Sequence, residues 1–190
     1  MFVLKSKYFF IIESIKDICL KNIKLSNKFN IIYRNNGKIE CFEKLMQFRK
    51  TCRTKKIDFY IANDAKLVTR LKADGLYISA YNKDLRLIKF KRLNYKIIGS
   101  AHNIKELNIK NIQGCSDIVY SRLFDTSYSF KHGSLGVIKF NLLSISRKEK
   151  ILPLGGINSS RINKLNIIKS DSFALLSEVK KKPAIISRLF

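Results

Sequence analysis

The residues best suited to chemistry lie in short polar stretches that follow apolar runs. They are Arg34-Asn35-Asn36-Gly37, Asn63-Asp64, Ser79 to Asn82, Ser100-Ala101-His102-Asn103, Arg122 to Ser129, Gly155-Gly156-Ile157-Asn158 and Ser177-Glu178. Together they offer the hydrogen-bonding groups that a polar ligand requires. The sharpest is Leu152-Pro153-Leu154-Gly155-Gly156-Ile157-Asn158-Ser159. Paired glycines let a backbone come close to a ligand and present its N–H groups, which suits a phosphate, and Ser177 could complete such a cradle. The same residues also fit a plain Gly-Gly turn with Ser159 as a helix N-cap. The four cysteines, Cys19, Cys41, Cys52 and Cys115, form no CxxC pair, and only two histidines, His102 and His132, are available to complete a metal set. That pattern argues against a structural zinc site and against a disulfide framework.

These stretches need elements to hold them. Lys7–Glu13, Phe29–Arg34, Ile57–Ala62, Gly75–Ser79, Tyr95–Ser100, Asp117–Ser121, Lys150–Gly155 and Asp171–Ser177 read as strands. Helical patterns fall at 15–23, 39–54, 65–72, 104–109 and 159–168. Near-continuous apolar strands alternating with helices argue for a parallel α/β fold buried on both faces of its sheet. Eight such units suggest a single compact (β/α)8 TIM barrel over residues 1–190, with an open doubly wound sheet as the alternative. In either architecture the polar stretches lie at the carboxyl ends of the strands, where ligands bind.

Composition sets the outer bounds. Of 190 residues 46% are hydrophobic, enough for a buried core and too many for wholesale disorder. No apolar run is long enough to span a membrane. The N-terminus interrupts its apolar stretches with Lys5, Lys7, Glu13 and Lys16 and shows no small-residue cleavage site, so the expected compartment is the cytoplasm. The formal net charge is +24. Ile outnumbers Val 27 to 5 and Lys outnumbers Arg 28 to 10, the skew of an AT-rich genome. That bias explains Lys over Arg but not Lys over Glu. The charge is spread along the chain rather than gathered in a tail, and such a field attracts anions in general. A nucleic-acid-binding protein is one reading of it, but no RNP, KH or zinc-finger pattern is present.

Several of these stretches, in order, resemble one family. They are Asn63-Asp64, Lys72-Ala73-Asp74-Gly75-Leu76-Tyr77-Ile78, Ile98-Gly99-Ser100-Ala101-His102-Asn103, Asp117 with Phe124-Asp125-Thr126 and Leu135-Gly136, Gly155-Gly156-Ile157 and Leu175-Leu176-Ser177. The chain is similar over 29–177 to the thiamine phosphate synthase / TenI family. The resemblance implies a (β/α)8 barrel and a transferase of thiamine biosynthesis. That enzyme joins hydroxymethylpyrimidine diphosphate to thiazole phosphate with Mg²⁺ and releases pyrophosphate. It also implies roles. Arg34 and Asn63 would contact the diphosphate, Asp64 and Asn82 would occupy the metal-binding positions, and Ser100 would lie near the pyrophosphate. His102 matches an acid/base of the TenI branch. Gly155, Gly156 and Ser177 would cradle the thiazole phosphate, and Ser127, Ser129 and Lys131 would stand in a hydroxyl-rich substrate loop. The partners so implied are phosphorylated small molecules, with no membrane.

The match also has gaps. Ile32 and Asn36 stand where the family has Gln and Lys, Asn82 stands where it has a second Asp, and Phe130 falls in the loop that normally carries a Lys. A TenI-like thiazole tautomerase and a non-catalytic phosphate-binding barrel are the alternative readings. No nucleophilic Cys or Ser is called for.

Overall fold

The computed structural model describes residues 5–23, 26–37, 40–126, 133–158 and 160–176. Eight parallel strands form one sheet: β1 (Lys7–Ile12), β2 (Phe29–Tyr33), β3 (Asp58–Ala62), β4 (Gly75–Ile78), β5 (Lys96–Ala101), β6 (Asp117–Ser121), β7 (Lys150–Leu154) and β8 (Ser172–Leu175). Their order is β7-β6-β5-β4-β3-β2-β1-β8. β7 and β8 then approach each other and nearly close the ring. The expected (β/α)8 barrel is therefore the observed fold, and the open doubly wound sheet is excluded.

Side chains divide by strand alternation. Phe9, Ile11, Ile32, Tyr60, Tyr77, Ile98, Val119, Leu152 and Ala174 point inward and fill the barrel. The intervening residues, among them Phe10, Ile31, Phe59, Leu76 and Ile118, face outward and join the larger core beneath the helices. That two-sided burial explains why the strands read as unbroken apolar runs.

Five α-helices cover the barrel: α1 (Phe42–Thr54), α2 (Ala65–Arg70), α3 (Lys89–Arg92), α4 (Ile104–Ile112) and α5 (Gly136–Ile145). α1 buries Leu45, Arg49 and Cys52 along one stripe. Arg49 Nη2 reaches Asp74 Oδ1 at 2.8 Å, and Asp74 Oδ2 accepts from the Phe59 amide, so one ion pair ties α1 to β3 and to the entry of β4. Four helices end in the same turn, in which an amide bonds the carbonyl five residues back: Ile57 to Cys52, Ala73 to Val68, Tyr95 to Phe90 and Cys115 to Lys110. The residue before each of those amides has positive φ; these are Lys56, Lys72, Asn94 and Gly114.

The structure departs from the sequence reading at four places. Residues 15–23 form two 3₁₀ turns, Ile15–Asp17 and Leu20–Asn22, because the buried Ile18, Leu20 and Ile23 do not share one helical face. The 159–168 helix is a 3₁₀ segment, Ile162–Ile167. α3 and α5 carry no counterpart in the sequence reading. No helix among the described residues is long and apolar enough to cross a membrane.

Gly75 shows how tightly the barrel closes. A Cβ there would lie 2.1 Å from the Lys96 carbonyl oxygen and 2.8 Å from the Tyr60 ring. Gly75→Ala should cost about 3 kcal/mol, the upper range for overpacking a core, and a lowered urea midpoint with unchanged slope would show it.

Candidate active site

Alternation places a polar layer immediately above the filled interior. One step beyond Ile11 stands Glu13, beyond Ile32 Arg34, beyond Tyr77 Ser79, beyond Ile98 Ser100 and beyond Val119 Ser121. All lie at the carboxyl ends of parallel strands and so belong to one mouth.

Asn63 is the hub of one side. It follows β3 with φ 58°, a left-handed conformation that Asn tolerates better than most residues. Its Nδ2 donates to Ser79 Oγ (2.8 Å) and to the Tyr81 hydroxyl (2.9 Å). Its Oδ1 accepts from the Ser79 amide (3.0 Å) and from Asn82 Nδ2 (3.2 Å). Asn82 Oδ1 in turn accepts from the Asp84 amide at 3.0 Å. The loop is anchored from behind as well. The buried Lys110 Nζ donates to the Asn82 carbonyl (2.6 Å) and to Gln113 Oε1 (2.8 Å), while Gln113 Nε2 donates to the Asn82 and Asp84 carbonyls. Burial pushes the Lys110 ammonium down to about 8.

Arg34 stands at the end of β2, the strand next to the one that Asn63 follows. Its amide donates to Ile12 O, which fixes the backbone against β1. Its Nη2 lies 3.9 Å from Glu13 Oε1, which also accepts from Asn36 Nδ2 at 2.6 Å. The Arg34 Nε is buried and has no hydrogen-bond acceptor among the described residues. Tyr77 is fully buried beneath the mouth. Burial raises its pKa, against the opposing pull of the Ser100 side chain and of the Arg34 charge. His102, one step above Ser100, is half exposed. Its Nδ1 lies 3.0 Å from Glu106 Oε2, which also accepts the His102 amide at 2.7 Å.

On the β6–β7 side of the mouth, two loops are pressed together. Gly156 has φ 66°, and a Cβ on it would stand 2.6 Å from the carbonyl oxygens of both Phe124 and Asp125. Only glycine fits. Gly155 is similarly closed in by Arg122, whose Nη1 donates to Thr126 Oγ1 at 3.1 Å. Arg161 Nη1 donates to Asp125 O (2.7 Å) and to Gly156 O (3.4 Å), bracing both loops. Among the described residues no acceptor takes the amides of Gly156 and Ile157. Ser127, Ser129, Lys131 and Ser177, together with Phe130, lie outside the described residues.

The metal positions can be tested by their donor atoms. Asp64 is exposed, and its Oδ1 accepts the Leu67 amide as N-cap of α2; its other oxygen takes no described donor. The oxygens of Asn63 and Asn82 are both engaged by protein donors. No cluster of three or more His, Cys, Asp or Glu suited to a metal exists among the described residues. One open carboxylate oxygen still fits Mg²⁺, which is often held by one or two carboxylates together with water and substrate phosphates. The structure thus gathers Arg34, Asn63, Asp64, Asn82, Ser100, His102, Gly155 and Gly156 at one end of the barrel, with Asn82 serving its own loop. Sequence reasoning missed Glu13, which strand alternation from Phe9 and Ile11 would have found. It also missed Lys110, Gln113 and Arg161, whose roles depend on contacts that no local pattern announces; Tyr81 lay inside the Ser79 to Asn82 stretch without a role of its own.

Known proteins give the comparison. A family model described as thiamine monophosphate synthase matches residues 12–179. A thiamine-phosphate synthase of Clostridioides difficile (strain 630) is 27% identical over 155 residues, covering 78% of this chain and 71% of that protein. One from Pelagibacter ubique (strain HTCC1062) is 32% identical over 137 residues, covering 68% of this chain and 63% of that protein. The structure of a thiamine phosphate pyrophosphorylase from Pyrococcus furiosus superposes with a TM-score of 0.69 at 14% identity, covering 98% of both chains, which is a likeness of fold.

One element of the mouth has a pH signature. Burial alone would raise the Glu106 pKa, but its bonds to the His102 amide and ring outweigh burial and hold it below the ordinary 4.5. A carboxylate with a depressed folded pKa adds stability above its unfolded pKa and loses it as pH falls through the folded value. Glu106→Gln should therefore cost about 1 kcal/mol at neutral pH, as for a lost cap. The difference from the parent should shrink in urea titrations as pH falls below 4.5.

Proposed function

The chain belongs to the thiamine monophosphate synthase family, and from that premise we propose that it joins hydroxymethylpyrimidine diphosphate to thiazole phosphate at this mouth and releases pyrophosphate. The observation that carries the reading is the Arg34 guanidinium, whose buried Nε has no acceptor among the described residues. A buried donor left unpaired costs free energy that an incoming phosphate oxygen recovers.

The remaining roles follow from the same reading. The diphosphate lies between Arg34 and the Asn63 side, where Tyr81 and Ser79 keep the Asn63 amide oriented. The thiazole phosphate takes the Gly156 and Ile157 amides at the opposite rim. This separation sets the two reacting ends facing each other near Ser100, which stands at the carboxyl end of β5. The thiazole nitrogen supplies the electron pair for the new C–N bond. The C–O bond to the diphosphate breaks, and its pair leaves with pyrophosphate. Arg34 stabilises the charge that gathers on that leaving group. Mg²⁺, when bound at Asp64 and the diphosphate, neutralises part of the same charge. Exposed free thiols at Cys19 and Cys41 suit action in the reducing cytoplasm.

One observation favours a binding-only barrel instead. Glu13 stands beside Arg34 and bonds Asn36, which brings negative charge to the phosphate position. Turnover separates the two readings. Purified protein with both substrates and Mg²⁺ should form thiamine phosphate; binding of both substrates without product would make it a non-catalytic member. Arg34→Ala should lower kcat/KM by at least about tenfold, the loss of a charge-assisted contact. Asp64→Asn keeps an N-cap residue on α2, so thermal stability should hold while the Mg²⁺ required for half-maximal rate rises.

A further inference from the structure

A cavity of about 350 Å³ opens at the other end of the barrel, around the entries to β3 and β4. Arg49, Arg53, Lys56 and Lys72 line it, with Asp58 and Asp74. We propose that this cavity is a second anion site, separate from the mouth, that binds a di- or triphosphate.

Charge is the first argument. Both carboxylates are already engaged. Asp58 Oδ2 lies within 3.7 Å of Lys7 Nζ and 3.4 Å of Lys96 Nζ, and Asp74 is held by Arg49 and by the Phe59 amide. Arg53, Lys56 and Lys72 have no acidic partner among the described residues. Arg49 is nine-tenths buried, with Nε and Nη2 fixed on the Lys72 carbonyl and Asp74; its Nη1 takes no described acceptor. A preoriented guanidinium under three uncompensated cations is an anion receptor.

Backbone conformation is the second and independent argument. Lys56 and Lys72 have φ of 56° and 47°, in the left-handed region that Gly and Asn occupy at the lowest cost. The same helix-ending turn elsewhere in this chain uses Asn94 and Gly114. Asn is as AT-coded as Lys, so the genomic skew does not choose between them. Complementing the C-terminal ends of α1 and α2 does not require these positions either, because Arg53 and Arg70 already stand in the last turns. Both strained lysines line the same cavity.

The lining also selects the ligand. The volume is at the small end of ligand sites, and Ile57 is the only apolar residue among those lining it. No aromatic ring is present to stack a base. Recognition therefore falls on the phosphates themselves.

The experiment titrates the full chain, in chelator and at physiological salt, with inorganic pyrophosphate and with tripolyphosphate, following ¹⁵N amide shifts and heat. The expected result is a set of saturable shifts at residues 53–57 and 72–75, apart from any at Arg34 and Gly156. In Lys56→Gly/Lys72→Gly, glycine relieves both left-handed turns, so resistance to urea should be equal or greater. Affinity at this end should fall at least about tenfold. Lys105→Gln/Lys139→Gln removes the same charge from exposed helix positions and should leave it unchanged. Equal weakening by the two double variants, or no shifts at 53–57 and 72–75, would overturn the proposal. Missing shifts at Arg34 and Gly156 would instead count against the reading of the mouth.

Discussion

A filled barrel interior governs everything above it. Phe9, Tyr60 and Tyr77 are large enough, with the aliphatic side chains around them, to leave no room for a ligand between the strands. Because successive strand residues alternate between the interior and the outer core, the residue two places beyond each interior side chain must emerge at the top of that solid floor. Glu13, Arg34, Ser79, Ser100 and Ser121 supply polar groups at this level, while Ala62, Leu154 and Leu176 keep it apolar beside β3, β7 and β8. Tyr77 packs its ring in that interior, fully buried.

Electrostatics then divides the molecule into two ends. The chain carries +24, so a carboxylate placed at a phosphate site matters more than another lysine would. At the mouth that carboxylate is Glu13, shared by Arg34 and Asn36. At the opposite end Asp58 is balanced by Lys7 and Lys96, and Asp74 by Arg49. The side chain at position 82 has a structural part as well. Asn82 uses both ends of its amide, one on Asn63 and one on the Asp84 backbone, a pairing that a carboxylate could not make because it has no donor.

Most of the frame was legible in the sequence because parallel strands buried on both faces are written as plain apolar runs. Asp117–Ser121 was read to the residue, and the other strand boundaries moved by one or two positions. α5 was not legible because its solvent side carries Ile138, Leu142 and Ile145, so no polar face marks a helical period. The segment at 15–23 misled because its isoleucines are spaced to wedge under loops rather than to line a helix. At the mouth, residues placed by strand register could be named in advance. The Lys110–Gln113 clamp could not, since a buried lysine looks like any solvated one until its partners, carbonyls some thirty residues away, are known.

The glycine at 156 has a mechanical side. Gly156 packs against the carbonyls of Phe124 and Asp125, and Arg161 donates to the carbonyls of Asp125 and Gly156, so residues 124–125 and 156 are locked to one another. Neither stretch can move without the other, because a shift of either breaks the Arg161 brace and opens the contact that only glycine permits.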